Sequence, residues 1–217
     1  MPLQYILGSQ PFGELDIKCI PGVLIPRWET EEWTIRLVRL LAGLQLNSID
    51  VCTGSGCIAL LIKKRLNIEV KGVDISDSAI SLSKENNIRH SLDVEFIKRD
   101  VFSWRCEEQY DLVTSNPPYI PQGDYESNEI ERSVVSFEPR LALVGWNEFY
   151  DALMHNVVIP SNAQGFVFEL GYREQYEFTK SILPSNWECK LYNDSAGKER
   201  CVIGWVKGGK LEQLQRM

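Results

Sequence analysis

From residue 48 onward the chain alternates short apolar runs with helical patterns, and no other feature limits the possible folds as tightly. "SIDVC" (48–52) reads as a strand and Cys57 to Leu66 as a helix; "VKGVDI" (70–75) is a second strand and Asp77 to Arg89 a second helix. Strands follow at "VEFIK" (94–98), "YDLVTS" (110–115) and "GFVFEL" (165–170), with helices over Trp146 to Val157 and Arg173 to Leu183. "WECKLYN" and "RCVIGWV" close the chain as an expected antiparallel pair. Strands joined through helices pair in parallel, and a parallel sheet needs cover on both faces. The expected fold is therefore α/β, a seven-stranded, mostly parallel, Rossmann-like sheet between two helical layers. Ahead of it, "ELDIKCIPGVLIP" (14–26) predicts a short β-hairpin turned at Pro21-Gly22. Glu29 to about Leu44 predicts a helix with acids in its first turn, where the helix dipole favours them. The organisation that follows is a linker and hairpin over residues 1–28 and one domain over 29–217.

Charge and cysteine usage narrow the function classes. The 217 residues carry 30 acidic and 23 basic side chains, a net charge of -7. An acidic surface repels phosphates, so direct nucleic-acid binding is not expected. Every long apolar run is broken by a charge, so no membrane span is expected either. The start, "MPLQYILGSQPFGELD", lacks the pattern of a secretory signal or a transit peptide. The six cysteines are scattered with no C-x-x-C pair, which suits buried thiols in a reducing compartment. His90 and His155, the only histidines, belong to no motif, and no metal site is expected.

The chemistry is concentrated at strand ends. In "DVCTGSGC", Asp50 to Cys57, Gly54 and Gly56 let the backbone turn tightly where the first strand of the alternation meets its helix. Asp74 ends the next strand, 18 residues beyond Gly56, near the spacing of an acid that accepts from ribose hydroxyls. Asp100, after the third strand, is placed to accept from an adenine amino group. Each acid alone reads as a solvated cap. Three successive strand ends converging on one crevice point instead to a nucleoside-bearing ligand. The glycine spacing is too short for a dinucleotide fingerprint, and no P-loop lysine follows.

The fourth strand ends in "SNPPYIP", Ser115 to Pro121. Two prolines fix two φ angles, and Asn116 before them is pushed toward extended backbone, so the carboxamide is held on a stiff turn. At residue frequencies of about 5% each, Asn-Pro-Pro-Tyr arises by accident on the order of once in a thousand such chains. With the glycine loop and Asp74, it makes the chain resemble the class I S-adenosylmethionine-dependent methyltransferases that modify planar nitrogens. "PLQYILG" (2–8), "PGVLIPRWETEE" (21–32) and "FEPRLAL" (137–143) narrow the likeness further, to the HemK/PrmC-type release-factor glutamine N5-methyltransferases.

The resemblance implies S-adenosylmethionine as cofactor, held by Cys52, Thr53, Gly54, Ser55, Gly56, Asp74, Asp100, Val101 and Asn116. It implies a substrate site of Asn116, Pro117, Pro118, Tyr119, Arg27 and Thr30, with Asn116, Pro117 and Tyr119 in the catalytic role. An amide nitrogen is a poor nucleophile, so the task is alignment. Asn116 Oδ1 and the Pro117 carbonyl would accept the two N–H groups of a substrate glutamine. Tyr119 would form an aromatic wall. Immobile acceptors need no reorganisation during reaction. The implied partner is a release factor bearing a Gly-Gly-Gln tripeptide, met by a monomeric enzyme. Family members begin with a separate small helical domain, which is expected to be absent here because the chain starts at the linker-like "MPLQYILG". Cys52 stands where many members have glycine, a form similar to organellar members, so a mitochondrial location is favoured over the cytoplasm. Trp28 replaces the usual proline of "RPETE". Two other readings are a nucleic-acid amino-methyltransferase, which would want a basic groove, and an inactive cofactor-binding scaffold, which would have no use for Asn116.

Overall fold

The computed structural model describes residues 1–127 and 130–217. A short helix α1 (Leu3–Leu7) leads into an antiparallel hairpin of β1 (Ser9–Phe12) and β2 (Leu15–Lys18). The hairpin is displaced from its expected place. Its turn is Gly13-Glu14, a two-residue loop with glycine first at φ 59°, a geometry that matches the twist of paired strands. Pro21-Gly22 does turn the chain, but residues 23–26 do not pair as a strand. Pro21 and Pro26 have no N–H to offer, and the Ile25 N–H is taken by the Glu138 carboxylate at 3.2 Å. The hairpin's inward side chains, Phe12, Leu15 and Ile17, share a core with Trp33 and Leu37 of α2 (Trp28–Leu40) and Leu60 and Leu61 of α3 (Cys57–Leu66).

The central sheet contains β3 (Asn47–Val51), β4 (Glu69–Asp74), β5 (Glu95–Lys98), β6 (Leu112–Ser115), β7 (Gly165–Glu169), β8 (Trp187–Asn193) and β9 (Glu199–Val206). Its spatial order is β5-β4-β3-β6-β7-β9-β8. β3 to β7 run parallel, and β9 lies antiparallel between β7 and β8. This is the expected α/β fold with seven strands. Alternate residues supply the two cores. Leu112 and Val167 point to the side of α2 and α3; Val113, Phe166 and Phe168 point to the other. There they meet Tyr150 of α7 (Asn147–Ala152) and Leu153, Met154 and Val157 of a π-helical continuation, Leu153–Val158. The predicted helix over 146–157 is thus α-helical only in its first half. Helix α4 (Asp77–Arg89) covers β4 and β5, and α8 (Arg173–Ser181) packs near β8 and β9.

The stretch between β6 and α7, which carries no helical pattern in the sequence reading, contains α5 (Gln122–Glu126), α6 (Arg132–Phe137) and a 3₁₀ turn, Arg140–Ala142. Among the described residues no helix is long and apolar enough to cross a membrane. Strand order reverses at β3, which has β4 on one side and β6 on the other. At such a switch point the connections leave in opposite directions, and a crevice opens beyond the carboxyl ends of the strands.

Candidate functional site

A cavity of about 1040 Å³, open mouth included, occupies that crevice. Its floor is the loop after β3. Three residues there hold left-handed backbone within five positions: Cys52 (φ 58°), Gly54 (φ 55°) and Gly56 (φ 83°). Beneath the loop, fully buried Asp50 accepts from the Thr53 hydroxyl at 2.6 Å and from the Thr114 hydroxyl at 2.8 Å. Burial pushes the Asp50 carboxyl up to about 7, against the pull of those two hydroxyls.

The two glycines serve different ends. Gly54 lines the cavity, and a Cβ on it would meet nothing within 4 Å. Gly56 does not line it. A Cβ there would lie 2.9 Å from Phe96 Cζ and 3.1 Å from Ser83 Cβ, so this glycine admits β5 and α4 rather than a ligand. Asp74, at the end of β4, ties two turns together: Oδ2 accepts from Gly54 N and Oδ1 from Ser76 N, both at 2.9 Å. Burial raises its carboxyl above the usual range. Asp100 also lines the cavity, but its oxygens are engaged locally by Phe102 N (3.0 Å) and the Ser103 hydroxyl (3.2 Å). Thr53, Ser55 and Val101 complete this wall. At the mouth Phe102 stands half exposed, edge-on to Phe149 at a ring separation of 4.8 Å.

The opposite wall is built on Asn116, which follows β6. Its Nδ2 donates to Thr30 Oγ1 at 3.2 Å, and the Thr30 hydroxyl donates to Glu169 Oε2 at 2.6 Å. Trp33 Nε1 donates to the same oxygen at 2.8 Å. The Tyr119 hydroxyl reaches Glu169 Oε1 at 3.4 Å. Thr30, in the first turn of α2, and Glu169, at the end of β7, are both buried, and burial raises the Glu169 carboxyl. Among the described residues no donor reaches Asn116 Oδ1. Asn116 and Pro118 line the cavity, whereas Pro117 and Tyr119 do not.

Tyr119 therefore differs from the expected aromatic wall: its hydroxyl is spent on Glu169 and its ring lies against Gly171, where a Cβ would come within 2.7 Å. Gly145 admits the Pro118 carbonyl in the same way, at 2.5 Å from a would-be Cβ. Gln175 Nε2 donates to the Tyr119 carbonyl at 2.8 Å, and Ile120 bridges to the 143–145 backbone on both sides. The Pro-Pro turn is rigid because its neighbours close on it.

The roof is the segment 23–27. Arg27 lines the cavity, but its guanidinium is paired with Glu138, a buried carboxylate that also holds Ile25 N. Arg27 is accordingly a strut between the roof and the 138–142 segment. Three acids of the site escaped the sequence reading of roles: Asp50, Glu138 and Glu169. Glu138 sits inside "FEPRLAL", and Glu169 is the lone acid closing the apolar run "GFVFEL". The strand-end argument that singles out Asp74 applies equally to Glu169.

Known proteins resemble this chain along nearly its whole length. Residues 34–142 match the family model described as "Methyltransferase small domain". The mitochondrial MRF1 N(5)-glutamine methyltransferase MTQ1 of Saccharomyces cerevisiae is 40% identical, over 99% of this chain and 74% of its own length. The release factor glutamine methyltransferase of Geobacter sulfurreducens is 38% identical, over 94% of this chain and 73% of its own length. Among solved structures, the hMettl16 catalytic domain in complex with a MAT2A 3'UTR hairpin superposes with a TM-score of 0.67 at 18% identity, covering 94% of this chain and 79% of that one. A likeness at that identity carries the fold alone.

Proposed function

Because this chain belongs to the release factor glutamine methyltransferase family, we propose that it uses S-adenosylmethionine to methylate the side-chain nitrogen of the glutamine in a release factor's Gly-Gly-Gln tripeptide. The cavity fits that cofactor: Gly54 leaves open the space a Cβ would fill, and the acids Asp74 and Asp100 stand on the adjoining wall. These residues would hold the cofactor, with Cys52, Thr53, Ser55 and Val101. Bound there, it supplies a methyl group activated by its sulfonium.

The observation that carries the reading is Asn116, whose Nδ2 is anchored on Thr30 while Oδ1, beside the cavity, takes no donor among the described residues. Asn116 Oδ1 accepts one N–H of the substrate amide, and the Pro117 carbonyl, set behind the cavity lining, is the acceptor that the family resemblance assigns to the other. Two fixed acceptors turn the nitrogen lone pair out of conjugation and toward the methyl donor. No strong base is required, since an alkylated amide nitrogen releases its proton readily. Glutamate lacks the N–H donors and would leave both acceptors unpaired, at about 1–3 kcal/mol each. The relatives' names support a mitochondrial release factor as substrate and a mitochondrial site of action.

The test is mass spectrometry of a Gly-Gly-Gln release factor after incubation with enzyme and S-adenosylmethionine. A gain of about 14 Da on that glutamine is expected, that being the mass of one methyl replacing hydrogen. Asn116→Ala should keep cofactor affinity within a few-fold and lose about 100-fold or more in turnover. Equal labelling by both proteins, or preference for duplex DNA over the release factor, would overturn the reading.

A further inference from the structure

We propose that Glu169 is a positioning residue that decides which end of the Asn116 carboxamide faces the substrate, acting through the one hydroxyl proton of Thr30; this rests on the function proposed above. A carboxamide has an accepting end and a donating end of nearly equal shape, and only its partners decide their placement. Asn116 touches Thr30 Oγ1, a hydroxyl that can donate once and accept as well. If that proton were free to turn to Asn116, the carboxamide could reverse and show Nδ2 to the cavity. A substrate amide would then meet a donor where it needs an acceptor.

The surroundings remove that choice. Thr30 Oγ1 lies 2.6 Å from Glu169 Oε2, and that oxygen also takes Trp33 Nε1–H at 2.8 Å. An indole nitrogen only donates, so Trp33 keeps Oε2 an acceptor. With this carboxyl ionised, or with its proton on Oε1 beside the Tyr119 hydroxyl, Oε2 accepts from Thr30 as well as from Trp33. The Thr30 proton is thereby committed to Glu169, Thr30 can only accept from Asn116, and Oδ1 is turned outward. Thr30 and Glu169 are 139 residues apart in the chain and both are buried, so water does not compete for these bonds. Tyr119 draws on the same carboxyl, which references both polar side chains of the Pro-Pro turn to one group.

The experiment compares Glu169→Leu, Glu169→Gln, Thr30→Val and Thr30→Ser with wild type. Readouts are kcat and KM on the Gly-Gly-Gln release factor, Kd for S-adenosylhomocysteine by calorimetry, and inhibition by a Gly-Gly-Glu release factor. Glu169→Leu frees the Thr30 proton to donate to Oδ1, so kcat should fall about 100-fold with cofactor Kd within a few-fold. The reversed carboxamide now offers Nδ2, so the Gly-Gly-Glu protein should become the better inhibitor by tenfold or more. Glu169→Gln keeps an accepting oxygen for Thr30 and Trp33 and should recover at least tenfold of the lost kcat. Thr30→Val keeps the Trp33–Glu169 bond, which guards against a folding failure; it should lower kcat without the gain in Gly-Gly-Glu inhibition, and Thr30→Ser should recover it.

A further readout needs no substrate. In wild type the Asn116 side-chain NH₂ signal, assigned by its loss in Asn116→Ala, should exchange slowly with solvent, and in Thr30→Val at least tenfold faster. Wild-type kcat in Glu169→Leu and Thr30→Val, parallel loss of kcat and cofactor affinity, or equal exchange of the Asn116 NH₂ would overturn the proposal. Absence of glutamine labelling by wild type, with the exchange difference present, would instead sink the substrate reading and leave the orientation intact.

Discussion

Gly54 and Gly56 hold similar left-handed angles two positions apart, yet a side chain on each would meet different obstacles. An alanine in that backbone region costs about 1–2 kcal/mol by itself. At Gly54 the added methyl enters open cavity, so the further penalty falls on the ligand. At Gly56 it meets the Phe96 ring and Ser83, and overpacking adds about 1–3 kcal/mol to folding. Gly54→Ala should therefore lose tenfold or more in affinity for S-adenosylhomocysteine with a modest fall in urea midpoint. Gly56→Ala should show the larger midpoint loss. Equal stability losses in the two variants would mean that the packing distinction is wrong. From the sequence both glycines read as ligand-facing, because a glycine's spacing says that a side chain is unwelcome but not what would collide with it. Only the neighbours, Phe96 on β5 and Ser83 on α4, separate the two cases.

Between elements, the roof depends on one ion pair across a long sequence separation. Glu138 lies 111 residues from Arg27 and joins it and Ile25 to the segment after α6. Glu138→Ala should cost about 2–3 kcal/mol, the scale of hydrogen bonds to a charged group, and expose residues 20–27 to limited proteolysis. Glu138→Gln, which retains an acceptor for Ile25 N, should be the milder change. Protease resistance equal to wild type in the alanine variant would show that the roof is held elsewhere.

The helices that the sequence reveals well are those with local signals. Both α3 and α4 match their expected bounds, the first through its unbroken apolar run and the second through the Ser76 cap on Ala79 N. Helices α5 and α6 bury no residues and so have no periodic face to read. The hairpin is misplaced because Pro21-Gly22 is the louder turn signal, while Gly13-Glu14 is chosen by the packing of Phe12, Leu15 and Ile17 beneath it. Asp74 and Asn116 are legible as strand-end residues. Glu138 and Glu169 work through partners 50 to 139 residues away, for which no local pattern exists.

Across the whole molecule, the site concentrates buried acids whose titration sets a pH dependence. Asp50 is raised from 3.8 to about 7 by burial, and burial also raises Asp74 and Glu169. Between those two values the folded chain keeps the Asp50 proton that the unfolded chain has released. Stability therefore falls as pH rises through that window, by up to about 1.4 kcal/mol per pH unit for this group. Glu14, held down by the Arg65 guanidinium, works oppositely, but its contribution is lost only as pH falls through the acid range. Melting temperature should thus decline from about pH 4 to about pH 7 at constant ionic strength, and Asp50→Asn should flatten the decline. A slope unchanged by that substitution would assign the effect to other groups. The sheet order adds a constraint in time. Strand β7, which ends in Glu169, is flanked on one side by β9, residues 199–206. A ribosome delivers the chain from its amino end, so the glycine loop and Asp74 can assemble while β7 still has a bare edge. Paired by then with β6 alone, β7 gains its second neighbour only when β9 arrives, so an unfinished copy would hold a cofactor floor opposite a reference residue on a half-paired strand.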